Sequence, residues 1–246
     1  MTLPQRYDMP DDYEWLPGSG RYPLKDAGEL AARLRSIVKY DRRGEVLFLE
    51  DGSNGWSAWN FLTSGAGAYV VPSVDFTFQS PFSLDMRPGT DGTRLAIAFK
   101  YFHSQVYGQM GAELAITFRA VQEALLLRVT HFETADYYDA KIKVDTVNRK
   151  IYYADALNAW VLLGSTYYFG EASPETSLLK VVADFSTRCY VRVMLDDLVF
   201  NMPAVPLRHA VGVVNKQYYI YIEVTGQVAT IGHSYLNHFI LTGNEP

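Results

Sequence analysis

From Glu45 to the C-terminus, apolar side chains recur at every second position in short runs separated by turn residues, and this periodicity leaves little room for anything but β-structure. Leu95, Ile97, Phe99 and Tyr101 alternate with Ala96, Ala98 and Lys100. Leu114, Ile116 and Phe118 alternate with Ala115, Thr117 and Arg119, and Leu125, Leu127 and Val129 follow a polar break. Each run reads as a strand whose large side chains face the core. Ala140, Ile142 and Val144 lead through a turn at Asn148 and Arg149 into Ile151 to Ala154, which predicts a hairpin. A second hairpin joins Val181, Ala183 and Phe185 through Ser186, Thr187 and Arg188 to Val191, Val193 and Leu195. Tyr218 to Val224 and Leu236 to Thr242 complete about a dozen strands, enough for two packed sheets. The expected fold is an all-β, two-sheet antiparallel jelly-roll sandwich over residues 45–246.

Residues 1–44 follow a different rule. Pro4, Pro10, Pro17 and Pro23 with Gly18 and Gly20 permit neither a helix nor a central strand, so this stretch reads as an extended arm. Asp26 with Glu29 has capping-box spacing, and Leu30, Leu34 and Ile37 recur at helical period, which predicts one short helix. Tyr7, Tyr13, Trp15 and Tyr22 are aromatic side chains on a segment too polar to fold alone. Together with the helix stripe they are candidate contacts to another protein subunit.

Charge narrows the partners. The formal net charge is -5 and the 22 Lys and Arg are scattered, so the basic footprint that nucleic acid requires is missing. No apolar run reaches the roughly 18 residues of a membrane span. The opening MTLPQRYDMPDDYEW lacks the basic start and apolar stretch of a secretory signal. Cys189 is the single cysteine, which excludes an intrachain disulfide and suits a reducing compartment, with Cys189 as a small buried hydrophobe. The expected location is the cytoplasm or a virion.

Four segments have further meaning: LFLEDGSNGW (47–56), SPFSLDMRPGTDGTRLAIAFKYF (80–102), LLKVVADFSTRCYVRVMLDDLVF (178–200) and YLNHFILTGNEP (235–246). Their order resembles the concanavalin A-like lectin and glucanase jelly-roll superfamily, including its bacterial and phage members. The resemblance implies fold rather than activity. It also implies a structural calcium held by Glu50, Asp51 and Asn237, although Asn237 stands where a carboxylate is usual.

Catalytic patterns are sparse. A glycosidase of this fold needs carboxylates on one strand face, and no Glu-x-Asp-x-x-Glu run occurs. Glu133, Asp136 and Asp139, at a spacing of three, read as a solvated loop. Of the five histidines, only His233 and His238 are close in sequence, and five positions apart on a strand they face opposite ways. No Gly-x-Ser-x-Gly occurs, and the loop at Gly65 and Gly67 lacks the lysine of a phosphate-binding loop. These absences favour a non-enzymatic protein.

The surplus lies in the aromatics, with 18 Tyr, 13 Phe and 4 Trp. In a strand, each adjacent Tyr pair sends one ring inward and one outward. Tyr137, Tyr138, Tyr152, Tyr167 and Tyr219 are therefore candidate sugar-stacking side chains, or half of a cross-strand covering layer. Two functions follow. A structural or assembly protein, such as a phage capsid decoration or other head or tail component attached through its arm, is favoured by the aromatic arm and the missing export signal and disulfides. A carbohydrate-binding module is the alternative.

Overall fold

The computed structural model describes residues 45–77, 81–91, 93–103, 108–119, 124–133, 135–165, 176–196, 198–212, 217–228 and 232–245. Within them lie β1 (Glu45–Glu50), β2 (Asn60–Ser64), β3 (Tyr69–Ser73), β4 (Ser83–Arg87), β5 (Leu95–Phe102) and β6 (Gln109–Phe118). Next come β7 (Ala124–Phe132), β8 (Asp136–Asp145), β9 (Lys150–Ala154), β10 (Trp160–Ser165) and β11 (Thr176–Asp184). The last are β12 (Cys189–Leu195), β13 (Leu198–Pro206), β14 (Arg208–Val211), β15 (Tyr218–Thr225) and β16 (Ser234–Gly243). The described residues contain no helix. The short helix and the arm residues Tyr7, Tyr13, Trp15, Tyr22, Leu30, Leu34 and Ile37 lie outside them, as does Tyr167.

Two eight-stranded antiparallel sheets make the sandwich. Sheet I runs β13-β12-β11-β6-β16-β4-β3, with β1 also on β16. Sheet II runs β10-β9-β8-β7-β15-β5-β2, with β14 also on β8. Between them one apolar core takes Leu114, Ile116, Leu179, Val181, Val193, Leu236 and Phe239 from sheet I and Leu125, Leu127, Ile142, Val144, Ile220 and Ile222 from sheet II. Both predicted hairpins are present as β8–β9 and β11–β12.

Two strands change partners along their length. The first half of β16 pairs with β4 and the second half with β1, and a bulge between Leu236 and His238 marks the change. A bulge inserts one residue and reverses which face the following side chains meet. His238, paired with Ala115, therefore joins the side of sheet I away from the core, where it is buried. Tyr235, with His233 stacked on it, lies on the same side, so the two histidines do not face opposite ways. Strand β8 pairs with β14 over Asp136–Asp139 and with β9 from Ile142 onward. Between these partners the Tyr190 hydroxyl, reaching across from sheet I, accepts a hydrogen bond from Lys141 N at 2.9 Å and donates to Ala154 O at 2.9 Å. It satisfies ladder groups that the split leaves open.

Three further expectations change. On β5 it is Ala96 and Ala98 that enter the core, while Leu95, Ile97, Phe99 and Tyr101 form the opposite face. The buried Trp56 and Trp59, from the turn after β1, join the same core. On β12, irregular pairing between Tyr190 and Arg192 brings Tyr190 into the core with Val193 and Leu195. Cys189 is only partly buried, at the first position of β12, with Sγ donating to Thr187 O.

Candidate functional site

The outer face of sheet II gathers the chemistry. Tyr219, Tyr221 and Glu223 on β15 alternate with the buried Tyr218, Ile220, Ile222 and Val224, so they point away from the core. Register carries this face across the sheet: Tyr101 pairs with Tyr219, Phe99 with Tyr221, Arg128 with both Tyr221 and Lys141, and Asp139 with both Thr130 and Arg208.

Its first part is an aromatic ridge. Tyr101 and Tyr219 have ring centroids 4.7 Å apart, Phe99 lies 5.8 Å from Tyr219, and Tyr219 lies 5.9 Å from Tyr221. Phe132 and Tyr137 extend it at 5.7 Å. Tyr101 is 46% exposed, so the ridge is open to a ligand. Burial and the neighbouring Tyr101 push the Tyr219 hydroxyl up to about 12, which keeps it a neutral donor at physiological pH.

Beside the ridge sits a charged cluster. The Asp139 carboxylate, fully buried, accepts from Arg128 Nε at 2.9 Å and Thr130 Oγ1 at 2.7 Å on one oxygen. On the other it accepts from Arg208 Nη1 at 2.7 Å, with Lys141 Nζ at 3.6 Å. Three cations thus surround one carboxylate. Arg128 lies over the rings of Tyr137 and Tyr219, and Arg208 over Tyr137, which ties cluster to ridge. Lys141 also donates to Asn158 Oδ1 at 2.8 Å. Asn158 sits in a turn with φ 66, a left-handed conformation that Asn tolerates, fastened by Asp155 Oδ1 accepting from Leu157 N and Ala159 N. Burial, with repulsion from Arg128 and Arg208 against the pull of Asp139, lowers Lys141 to about 8. Further along, Lys143 lies over Tyr152 at 4.7 Å and Trp160 at 4.9 Å.

Of the candidate stacking residues, Tyr137, Tyr152 and Tyr219 point outward from sheet II. Tyr138 is 7% exposed and belongs to the core, with Arg188 over its ring, so it leaves the set. Each described pair does send one ring each way. The segment read as a solvated loop begins β8 at Asp136, Asp139 is buried, Asp136 meets His209 at 3.0 Å, and Glu133 meets Arg188 at 3.2 Å. Phe99, Tyr101, Arg128, Lys141 and Arg208 were not among the site residues read from the sequence. The alternation of Tyr137, Asp139, Lys141 and Lys143 was available to find part of the cluster.

The residues of the calcium set lie at the end of β1, in the turn after it and on β16. Asn237 is buried and donates to Thr117 Oγ1 on β6 at 3.0 Å, on the opposite side of β16 from β1, where Glu50 lies. Glu50 accepts from Gly52 N at 3.0 Å. No group of three or more His, Cys, Asp or Glu converges as metal ligands among the described residues.

Neither the family models nor the curated proteins match this chain. Solved structures do. A carbohydrate esterase of Shiga toxin-encoding bacteriophage phi24B superposes with a TM-score of 0.53 at 12% identity, over 82% of this chain and 100% of that one. The laminarinase catalytic domain of Thermotoga maritima gives 0.51 at 10% identity, over 83% and 100%. A sialidase gives 0.53 at 10% identity over 85% of this chain, which spans 19% of the sialidase. Peanut lectin also superposes, at 0.50. The fold is the concanavalin A-like lectin and glucanase jelly roll, a class that holds both enzymes and non-enzymatic lectins.

Proposed function

We propose that this chain is a non-enzymatic carbohydrate-binding jelly roll that takes a glycan on the outer face of sheet II. The carrying observation is the contiguous ridge of Phe99, Tyr101, Tyr219 and Tyr221, whose faces suit the apolar faces of sugar rings. The fold shared with lectins and glucanases supports it. A purely structural layer of cross-strand rings needs no solvent access, whereas Tyr101 is exposed.

The carboxylates favour binding over hydrolysis. Asp139 and Glu223 share the face, but the register separates them by two strands and four positions, roughly 10 Å across and 14 Å along. Paired glycosidase carboxylates stand about 5 to 10 Å apart. Glu223 is bonded by Tyr221 and Thr225, and both Asp139 oxygens are engaged. The test is a glycan array with wild type, Tyr101→Ala and Tyr219→Ala. Binding lost in both variants is expected, and an array without a binder overturns the reading.

A second reading is the phage assembly role with residues 1–44 as the attachment. Its support is the likeness to a bacteriophage-encoded structure, and location in a virion or the cytoplasm goes with it. Deleting residues 1–44 should then leave a folded sandwich that no longer joins its assembly, and retained assembly removes the idea.

A further inference from the structure

The charged cluster beside the aromatic ridge is not needed to bind a neutral sugar. We infer that the site selects an anionic glycan, with Arg128, Arg208 and Lys141 receiving a carboxylate or sulfate of a sugar ring that stacks on Tyr101 and Tyr219. This rests on the glycan reading above and names the class of ligand.

Charge balance carries the argument. Three cations converge on the single carboxylate of Asp139, in a protein whose formal net charge is -5. Burial and the two neighbouring guanidinium groups lower Lys141, and a second anion would offset the repulsion part of that cost. Access follows the same pattern. Asp139 is sealed, while the Arg128 and Arg208 side chains are each 22% exposed and each gives one N–H to Asp139. The rest of each planar fork is left for an acceptor, and a fork binds carboxylate or sulfate through paired donors. Asp139 and the rings beneath Arg128 and Arg208 hold both guanidinium groups in place before a ligand arrives. An acidic chain meets attraction here and repulsion from the protein as a whole, so net charge itself directs it to this face.

The experiment uses the full chain and titrates four polymers by calorimetry: polygalacturonate, dextran sulfate, neutral laminarin and polyglutamate. Expected is binding of polygalacturonate or dextran sulfate over laminarin and polyglutamate, weakened by raising salt from about 0.05 to 0.5 M. Arg208→Gln should weaken it roughly tenfold with a melting temperature lowered by about 4 °C at most, and Tyr219→Ala should weaken it as well. Binding of laminarin alone, indifferent to Arg208→Gln, overturns the anionic inference and leaves the glycan reading standing. Equal binding of polyglutamate shows a plain anion site and removes both. No binding to any polymer also removes both.

Discussion

Each sheet carries, on the side away from the core, one buried carboxylate surrounded by cations, and the two clusters differ in closure and charge. On sheet I, Glu245 receives Arg192 Nη2 and Lys180 Nζ, the latter at 2.8 Å, with the Thr242 hydroxyl on the same oxygen as Lys180. Glu113 lies 4.0 Å from Lys180. The cationic side chains of this cluster are each 4% exposed. Gly111 belongs to this packing, because a Cβ there would collide with Thr242 and Glu245. On sheet II, Asp139 has three cations, two of them 22% exposed beside open rings. Identical ion-pair chemistry therefore serves as a closed lock in one place and as a presenting surface in the other.

The lock should show the larger effect on stability. Glu245→Gln leaves Arg192 and Lys180 buried with Glu113 as the remaining carboxylate among the described residues. Removing one partner of a buried pair costs about 3 to 5 kcal/mol. Urea denaturation should show that loss while ligand titrations on sheet II stay unchanged. A loss under about 1 kcal/mol would mean the two clusters are energetically alike.

The same face should set acid stability. His238 is 9% exposed, and burial, opposed in part by Asp51, lowers it to about 4. The unfolded chain takes up this proton near pH 6.5 and the folded chain only near 4, so between them the unfolded state binds more protons. Stability therefore falls as pH drops through that window, by up to about 3 kcal/mol. His238→Gln should flatten that part of the pH profile, and an unchanged profile would show that the imidazole finds its proton in the fold.

Tyr190 connects the two regions, since its hydroxyl from sheet I completes the ladder beneath Lys141. Tyr190→Phe leaves Lys141 N and Ala154 O without that partner and should cost about 1 to 3 kcal/mol. Hydrogen exchange at the Lys141 amide should quicken more than at Val144, and uniform protection would show that the split in sheet II closes without it.

The contrast explains what could be read beforehand. Alternation along β7, β8, β11 and β15 was enough for two sheets and both hairpins, because burying one face is a local property. Face assignment failed where side-chain size misleads or pairing is irregular: the alanines of β5 rather than its large residues enter the core, and the bulge at Asn237 carries His238 to the other side. The cluster on sheet II draws Arg128, Asp139, Lys141 and Arg208 from three strands, and the pairing of β14 with β8 is what brings Arg208 there. The tyrosine-rich stretch around Asp139 reads as loop at a carboxylate spacing of three, although the period of two continues through Tyr137.

The smallest stability effect belongs to Arg208, and it separates the clusters most sharply. Arg208 lies on a four-residue strand, is partly exposed, and leaves Asp139 with Arg128, Thr130 and Lys141 when removed. Arg208→Gln should cost about 1 kcal/mol or less, because water screens what the guanidinium contributed. Arg192→Gln on sheet I should cost several times as much. Raising the pH supplies an independent handle on the same site: Lys141, at about 8, discharges between pH 7 and 9, while Tyr219, at about 12, stays neutral. The folded Lys141 loses its proton before the unfolded chain does, near 10.4, so from about pH 8 upward this residue adds stability rather than removing it. Anion binding that weakens from pH 7 to 9 while the urea midpoint holds or rises would assign the cluster to ligand rather than fold, and a midpoint falling in parallel with binding would make sheet II a second lock.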